Sequence, residues 1–105
     1  MERNTINIAK DFSSKLGGRW ERFGSYSGEQ FYKEWLQPSF LRAKETNEQL
    51  HIYLDGASPY GSSFLDQSFG ELARVYGSED VKKTIILHTS LYEWIVKIII
   101  NELWR

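Results

Sequence analysis

Segments typical of strands and of helices alternate along this chain, and that alternation constrains the fold more than any other feature. Residues 50–54 place an apolar side chain at every second position, as a half-buried strand requires. The helix predicted after them carries its apolar residues at helical spacing: Leu65, Phe69, Leu72 and Tyr76. Such an order favours an α/β fold with parallel neighbouring strands.

The other segments fit the same order. We expect a first strand within residues 5–12, near a sheet edge, and a short second strand from Trp20 to Phe23. A capping box formed by Ser27 and Gln30 starts a helix that Pro38 interrupts or restarts. A strand over 84–87 and a last helix from Ser90 follow. The expectation is one domain, residues 1–105, with a small mixed sheet of about four strands and helices packed against it.

Charge and composition exclude several classes of function. The 13 basic and 14 acidic residues leave a net charge of -1, so the chain has no positive field to attract nucleic acid. The absence of cysteine removes disulfides and thiolate chemistry, which favours the cytoplasm. The apolar run over residues 94–100 is interrupted by Lys97 and is too short to span a membrane.

No constellation of side chains indicates catalysis. His51 and His88 fall on different strands without a histidine or carboxylate at ligand spacing, so no metal site is predicted. Phe64 stands where a hydrolase elbow needs a small residue, and neither glycine loop has the lysine of a P-loop. We therefore expect no enzyme activity and no cofactor.

The informative segment runs from Asp55 into the next helix, because a turn-rich loop there leads from a strand end to Ser62 and Ser63. Open α/β sheets bind ligands and partners at such strand ends. One interpretation is structural, with Ser63 as the cap of a helix that has Asp66 three residues later. The other is functional, because a phosphate at a helix start meets free amides and changes the surface charge.

Five short motifs carry a resemblance to the STAS-like domain family of uncharacterised function: Gly17-Gly18-Arg19, Ser27-Gly28-Glu29-Gln30-Phe31, Leu36-Gln37-Pro38, Asp55-Gly56 and Ser62-Ser63-Phe64-Leu65-Asp66. That family is similar to the STAS domains of anti-sigma factor antagonists, in which the serine matching Ser63 is phosphorylated. The sequence departs from their pattern at Gly61, where they have aspartate, and at Phe64, where they have glycine.

The resemblance implies a non-catalytic regulatory domain that binds a histidine-kinase-like ATPase or a transcriptional regulator. Ser63 and Ser62 are the candidate phospho-acceptors it implies. The candidate partner contacts surround them: Asp55, Tyr60, Gly61, Phe64 and Asp66.

Two other functions remain open. One is a small-molecule or anion pocket at the carboxyl ends of the strands, in which Arg19 holds an anion and Asp55 or His88 is a polar ligand. The other is a structural subunit that assembles through the last helix. There we expect a sheet-facing stripe, Leu91, Trp94, Ile95 and Ile98, and a surplus apolar face that is either covered by a neighbouring helix or forms a homodimer interface, Tyr92, Val96, Ile100 and Trp104.

Overall fold

A computed structural model describes residues 4–105, so the first three residues of the predicted domain lie outside the described part. Three strands form the sheet there: β1 (Thr5–Asn7), β2 (Leu50–Tyr53) and β3 (Ile85–His88). Their order is β1-β2-β3 and both pairs are parallel. The α/β class and the central place of β2 are confirmed. The expected mixed sheet of about four strands is corrected to three parallel strands within residues 4–105.

The predicted second strand between Trp20 and Phe23 is wrong. Glu21–Phe23 forms a single 3₁₀ turn, and none of its residues is buried. Because Phe23 is 78% exposed, no apolar face holds this segment against the sheet. A strand needs such a face, or a paired neighbour, to offset the cost of extending the backbone.

The first long helix, α1, covers residues 28–45 in three consecutive segments, Gly28–Phe31, Tyr32–Leu36 and Gln37–Glu45. The Ser27 hydroxyl accepts the amide of Gln30 at 3.0 Å, which confirms the predicted cap. The helix continues through Pro38 instead of stopping. The turn ahead of it is widened, with the Gln37 amide donating to the carbonyl of Tyr32, five residues earlier.

The remaining helices are α2, α3 and α4. Helix α2 covers residues 62–76 as Ser62–Leu65, Asp66–Gly70 and Glu71–Tyr76, and ends at Gly77 as its sequence predicts. Helix α3 (Ser78–Thr84) was not expected, and α4 covers residues 93–103 as Glu93–Ile98 and Ile99–Leu103. Within residues 4–105 no helix is long and apolar enough to cross a bilayer.

The core lies on one face of the sheet. Leu50, Ile52 and Leu54 are fully buried there, whereas Tyr53, which points the opposite way, is 40% exposed. An aromatic cluster joins α1 to α2, with the ring of Phe31 5.9 Å from Phe64 and 6.0 Å from Phe69 between centroids. Burial of large aromatic side chains supplies much of the driving force in a domain of this size. The cluster fixes the start of α2 beside the carboxyl end of β2.

Candidate functional site

Two serines, Ser62 and Ser63, lie in the first turn of α2. Gly61, with extended backbone, is the N-cap, and no side chain caps the helix. Ser62 is exposed and Ser63 is half-buried. Neither hydroxyl has a hydrogen-bond partner among the residues that the structure describes. The structure excludes the interpretation in which Ser63 caps the helix, because the cap is Gly61, two residues earlier, and Ser63 lies within the first turn.

Asp66, one turn into α2, is held by two arginines. Its carboxylate oxygens lie 2.6 Å from Arg19 Nη1 and 2.9 Å from Arg74 Nη1. Arg74 Nη2 also donates to the backbone carbonyl of Asp66 at 2.9 Å. The hydrogen bond from Arg19, and to a lesser extent the one from Arg74, holds the pKa of the Asp66 carboxyl below its usual range. Arg19, predicted to hold the anion of a ligand, is instead paired with Asp66 of the same chain.

The two-glycine motif explains how Arg19 reaches α2. A Cβ atom on Gly17 would lie 2.3 Å from the carbonyl oxygen of Ser25, so only glycine fits there. The carbonyls of Gly18 and Arg19 accept the first amides of α1, from Gly28 at 2.8 Å and Glu29 at 3.0 Å. The loop therefore satisfies amides that a helix start leaves unpaired, and it presents Arg19 to Asp66.

Asp55 ties the end of β2 to the segment before α4. Its carboxylate accepts the Thr89 hydroxyl and the amides of Ser90 at 2.8 Å and Leu91 at 3.3 Å. The Thr89 hydroxyl, followed by the Ser90 amide, lowers the pKa of the Asp55 carboxyl. Both oxygens are thus engaged within the chain, and this limits the role of Asp55 as a partner contact.

Two of the predicted aromatic anchors are in the core. Tyr60 is 8% exposed and its hydroxyl donates to the carbonyl of Leu54, while burial raises the pKa of its phenol. Phe64 is fully buried against Phe31. The prediction that Tyr60 and Phe64 contact a partner is corrected, because both rings are buried in the core of the domain. Gly61 and Ser62 remain on the surface.

The last helix faces the core with a different stripe from the predicted one. Ile95 and Ile99 are buried, whereas Leu91 and Trp94, expected against the sheet, are 68% and 60% exposed. Of the residues expected to form an interface, Tyr92 and Val96 are partly buried against the core and Trp104 is 1% exposed. Only Ile100, at 38%, is on the surface. The helix begins at Glu93, later than expected, so Leu91 lies outside it.

A pocket of about 350 Å³ opens at the carboxyl ends of the strands. It brings Asp55 and His88 together, as the pocket hypothesis requires, but Arg19 is not part of it. The rest of its lining was not foreseen: Asn7, Tyr53, Thr89 and Ser90.

Sequence reasoning missed a contact between the two histidines. His51 Nδ1 lies 2.9 Å from His88 Nε2, and the ring of Tyr53 stacks on His88 with centroids 4.3 Å apart. The parallel register places Tyr53 opposite His88, so the three rings share the sheet face away from the core. Strand alternation alone puts His51 and Tyr53 on one face. The contact with His88 also depends on the β2–β3 register, which the sequence did not predict.

The described residues form an α/β domain with a three-stranded parallel sheet, helices on its core face, and Ser62 and Ser63 at the helix start after the central strand. A profile of the family described as "STAS-like domain of unknown function (DUF4325)" matches residues 27–89. The chain belongs to this STAS-like family. The matched region runs from the Ser27 cap to the end of β3 and contains Ser62, Ser63 and Asp66. Searches of curated proteins and of solved structures found no match.

Proposed function

We propose that this chain is a non-catalytic regulatory domain that binds another protein through the end of the β2–α2 loop and the first turn of α2. The observation that carries the proposal is that Ser62 and Ser63 lie at a helix start with hydroxyls that make no hydrogen bond to any residue in 4–105. Gly61 and Ser62 form the exposed centre of this surface. The partner is a histidine-kinase-like ATPase or a transcriptional regulator, by analogy with the anti-sigma factor antagonists.

Phosphorylation of Ser63 or Ser62 is the switch in this proposal. A phosphate adds roughly two negative charges at neutral pH. The carboxylate of Asp66 is already balanced by Arg19 and Arg74, so the added charge competes for the same guanidinium groups. The modification thereby changes both the charge of the surface and the anchoring of the Arg19 loop.

Binding to the ATPase or regulator encoded beside this chain tests the proposal. We expect Ser63→Ala to bind as the wild type does and Ser63→Asp to change Kd at least about tenfold, which corresponds to about 1.4 kcal/mol. The same pair of variants at Ser62 shows which hydroxyl is the switch. Ser78→Asp is a control away from this surface, because Ser78 also starts a helix after a glycine cap, with its hydroxyl donating to the Arg105 carbonyl at 3.0 Å. Equal Kd values for the wild type and all four variants would exclude a serine switch.

The pocket at the strand ends supports a second candidate function, the binding of a small polar molecule. Its lining of Asn7, Asp55, His88 and Ser90 offers hydrogen-bond donors and acceptors where open α/β sheets commonly bind ligands. A thermal-shift screen of anions, nucleotides and polar metabolites tests it, since a specific ligand raises Tm by mass action. A ligand whose effect disappears in His88→Ala supports the pocket. If no compound in the screen raises Tm, this candidate function is excluded.

A further inference from the structure

A groove of about 470 Å³ runs between the start of α2 and the outer side of α4. Its floor is apolar, with Leu65 and Ile95 almost fully buried, and Trp94 forms a wall that is 60% exposed. Ser62 lies on its rim, so the groove adjoins the surface in the proposed function. Arg19, Asp66, Ile98 and Glu102 also line the groove.

The exposure of Trp94 follows from how α4 is seated. Ile95 and Ile99 occupy the core side of that helix, so Trp94 and Ile98 flank the groove, and Leu91 is 68% exposed just before the helix. Tryptophan beside a concave apolar surface is the side chain most often found at the energetic centre of protein interfaces. The groove therefore has the shape and chemistry to hold an apolar anchor of a partner.

The charges around the groove select the partner. Asp66 is neutralised by Arg19 and Arg74, whereas Glu102 has no ion-pair partner in the part of the chain that the structure describes. Among the lining residues, Arg19 carries one positive charge against the two carboxylates of Asp66 and Glu102, and Arg74, outside the lining, is shared with Glu71, so the net charge of the lining is negative. In a symmetric dimer through this face two linings of the same net charge would meet, which disfavours self-association.

We propose that this groove binds an amphipathic segment of another protein, with an aliphatic side chain against Leu65 and Trp94 and a lysine or arginine facing Glu102. The inference rests on the proposed function only in that the partner is a protein. The serine switch can fail while the groove still binds, and the two are tested separately.

Two synthetic helical peptides of the same length and leucine spacing serve as probes, one with lysines and one with glutamates at the remaining positions. Isothermal titration calorimetry gives their Kd values. We expect the lysine peptide to bind at least about tenfold more tightly than the glutamate peptide. Trp94→Ala should weaken it about tenfold or more, and Glu102→Gln should reduce the preference between the peptides to less than about threefold. Leu41→Ala and Glu45→Gln are matched exposed controls on α1 that should change nothing.

Chemical-shift mapping of the lysine peptide on the wild-type chain locates the binding surface without any variant, so the test does not depend on how well a variant folds. We expect the largest shifts at the Trp94 indole and the amides of Leu65 and Ile98. The proposal is overturned by equal affinity for both peptides, by shifts confined to other surfaces, or by unchanged binding in a folded Trp94→Ala. Light scattering that shows a dimer dependent on Trp94 overturns it in favour of self-association.

Discussion

At the scale of single residues, Asp66 decides how the Arg19 loop and α2 are held together. Its carboxylate accepts from Arg19 and Arg74, and its side chain is one-third exposed, at 33%. Solvent screens pairs of this exposure, so the network contributes on the order of 1 kcal/mol and not the value of a buried pair. Its main effect is to fix the geometry of the surface around Ser62.

Asp66→Asn should therefore lower the free energy of unfolding by about 1 kcal/mol at neutral pH. Because the folded pKa of Asp66 lies below its unfolded value of about 3.9, the contribution is fully present above pH 4 to 5 and is lost as pH falls through the folded pKa. Urea unfolding of the wild type and the variant from pH 7 to pH 2.5 should show two curves that converge in acid. Glu45→Gln is the control, and a constant difference at every pH would contradict the assignment.

The motif glycines show how much of the site could be predicted from sequence. Gly17-Gly18-Arg19 and Ser27-Gly28 were recognised as motifs, yet their roles are set by contacts with residues far along the chain, such as Arg19 with Asp66 and Gly28 with Phe64. Local spacing predicted the Ser27 cap because capping is a local interaction. It left open whether Ser63 caps α2, because the cap that forms there, Gly61, has no side chain to mark it.

At the scale of elements, the close approach of α1 and α2 depends on Gly28. A Cβ atom there would lie 2.5 Å from the carbonyl oxygen of Phe64. Gly28→Ala should destabilise the domain by about 1–3 kcal/mol, because it forces two packed helices apart. Gly61 has open space around it and an ordinary φ of -70°, so Gly61→Ala should stay within about 0.5 kcal/mol of the wild type.

Chemical denaturation followed by far-UV circular dichroism measures both glycine variants. If Gly28→Ala were as stable as Gly61→Ala, the helix contact would be looser than the structure has it.

The elements with strong apolar periodicity were predicted correctly, and the errors fall on segments that lack it. Strand β2 and helix α2 have clear apolar patterns, and both are present. Helix α3 escaped notice because Val81 is the only large apolar residue in its seven residues. The face of α4 was misassigned because apolar residues surround most of it, so periodicity does not choose an inner side.

At the scale of the whole molecule, the sheet has one covered face. Parallel strands that are buried on both faces read as continuous apolar runs. In β2, His51 and Tyr53 alternate with Leu50 and Ile52, so the sequence already indicates one polar face. That face carries the His51–His88 contact and borders the strand-end pocket. The groove beside α4 lies with the helices, so the domain offers two separate candidate surfaces.

The residue after α4, Trp104, covers one end of the core. Trp104 is buried at 1% exposure, and its Nε1 donates to the carbonyl of Phe69 at 2.9 Å. Trp104→Ala should cost about 3–5 kcal/mol, a large part of the 5–15 kcal/mol typical of such domains. Ile100→Asp, at a position 38% exposed, should cost about 1 kcal/mol or less and leave the domain folded. Urea unfolding distinguishes them, and equal losses for the two variants would show that α4 is seated differently, with the residues around Ile100 facing the core.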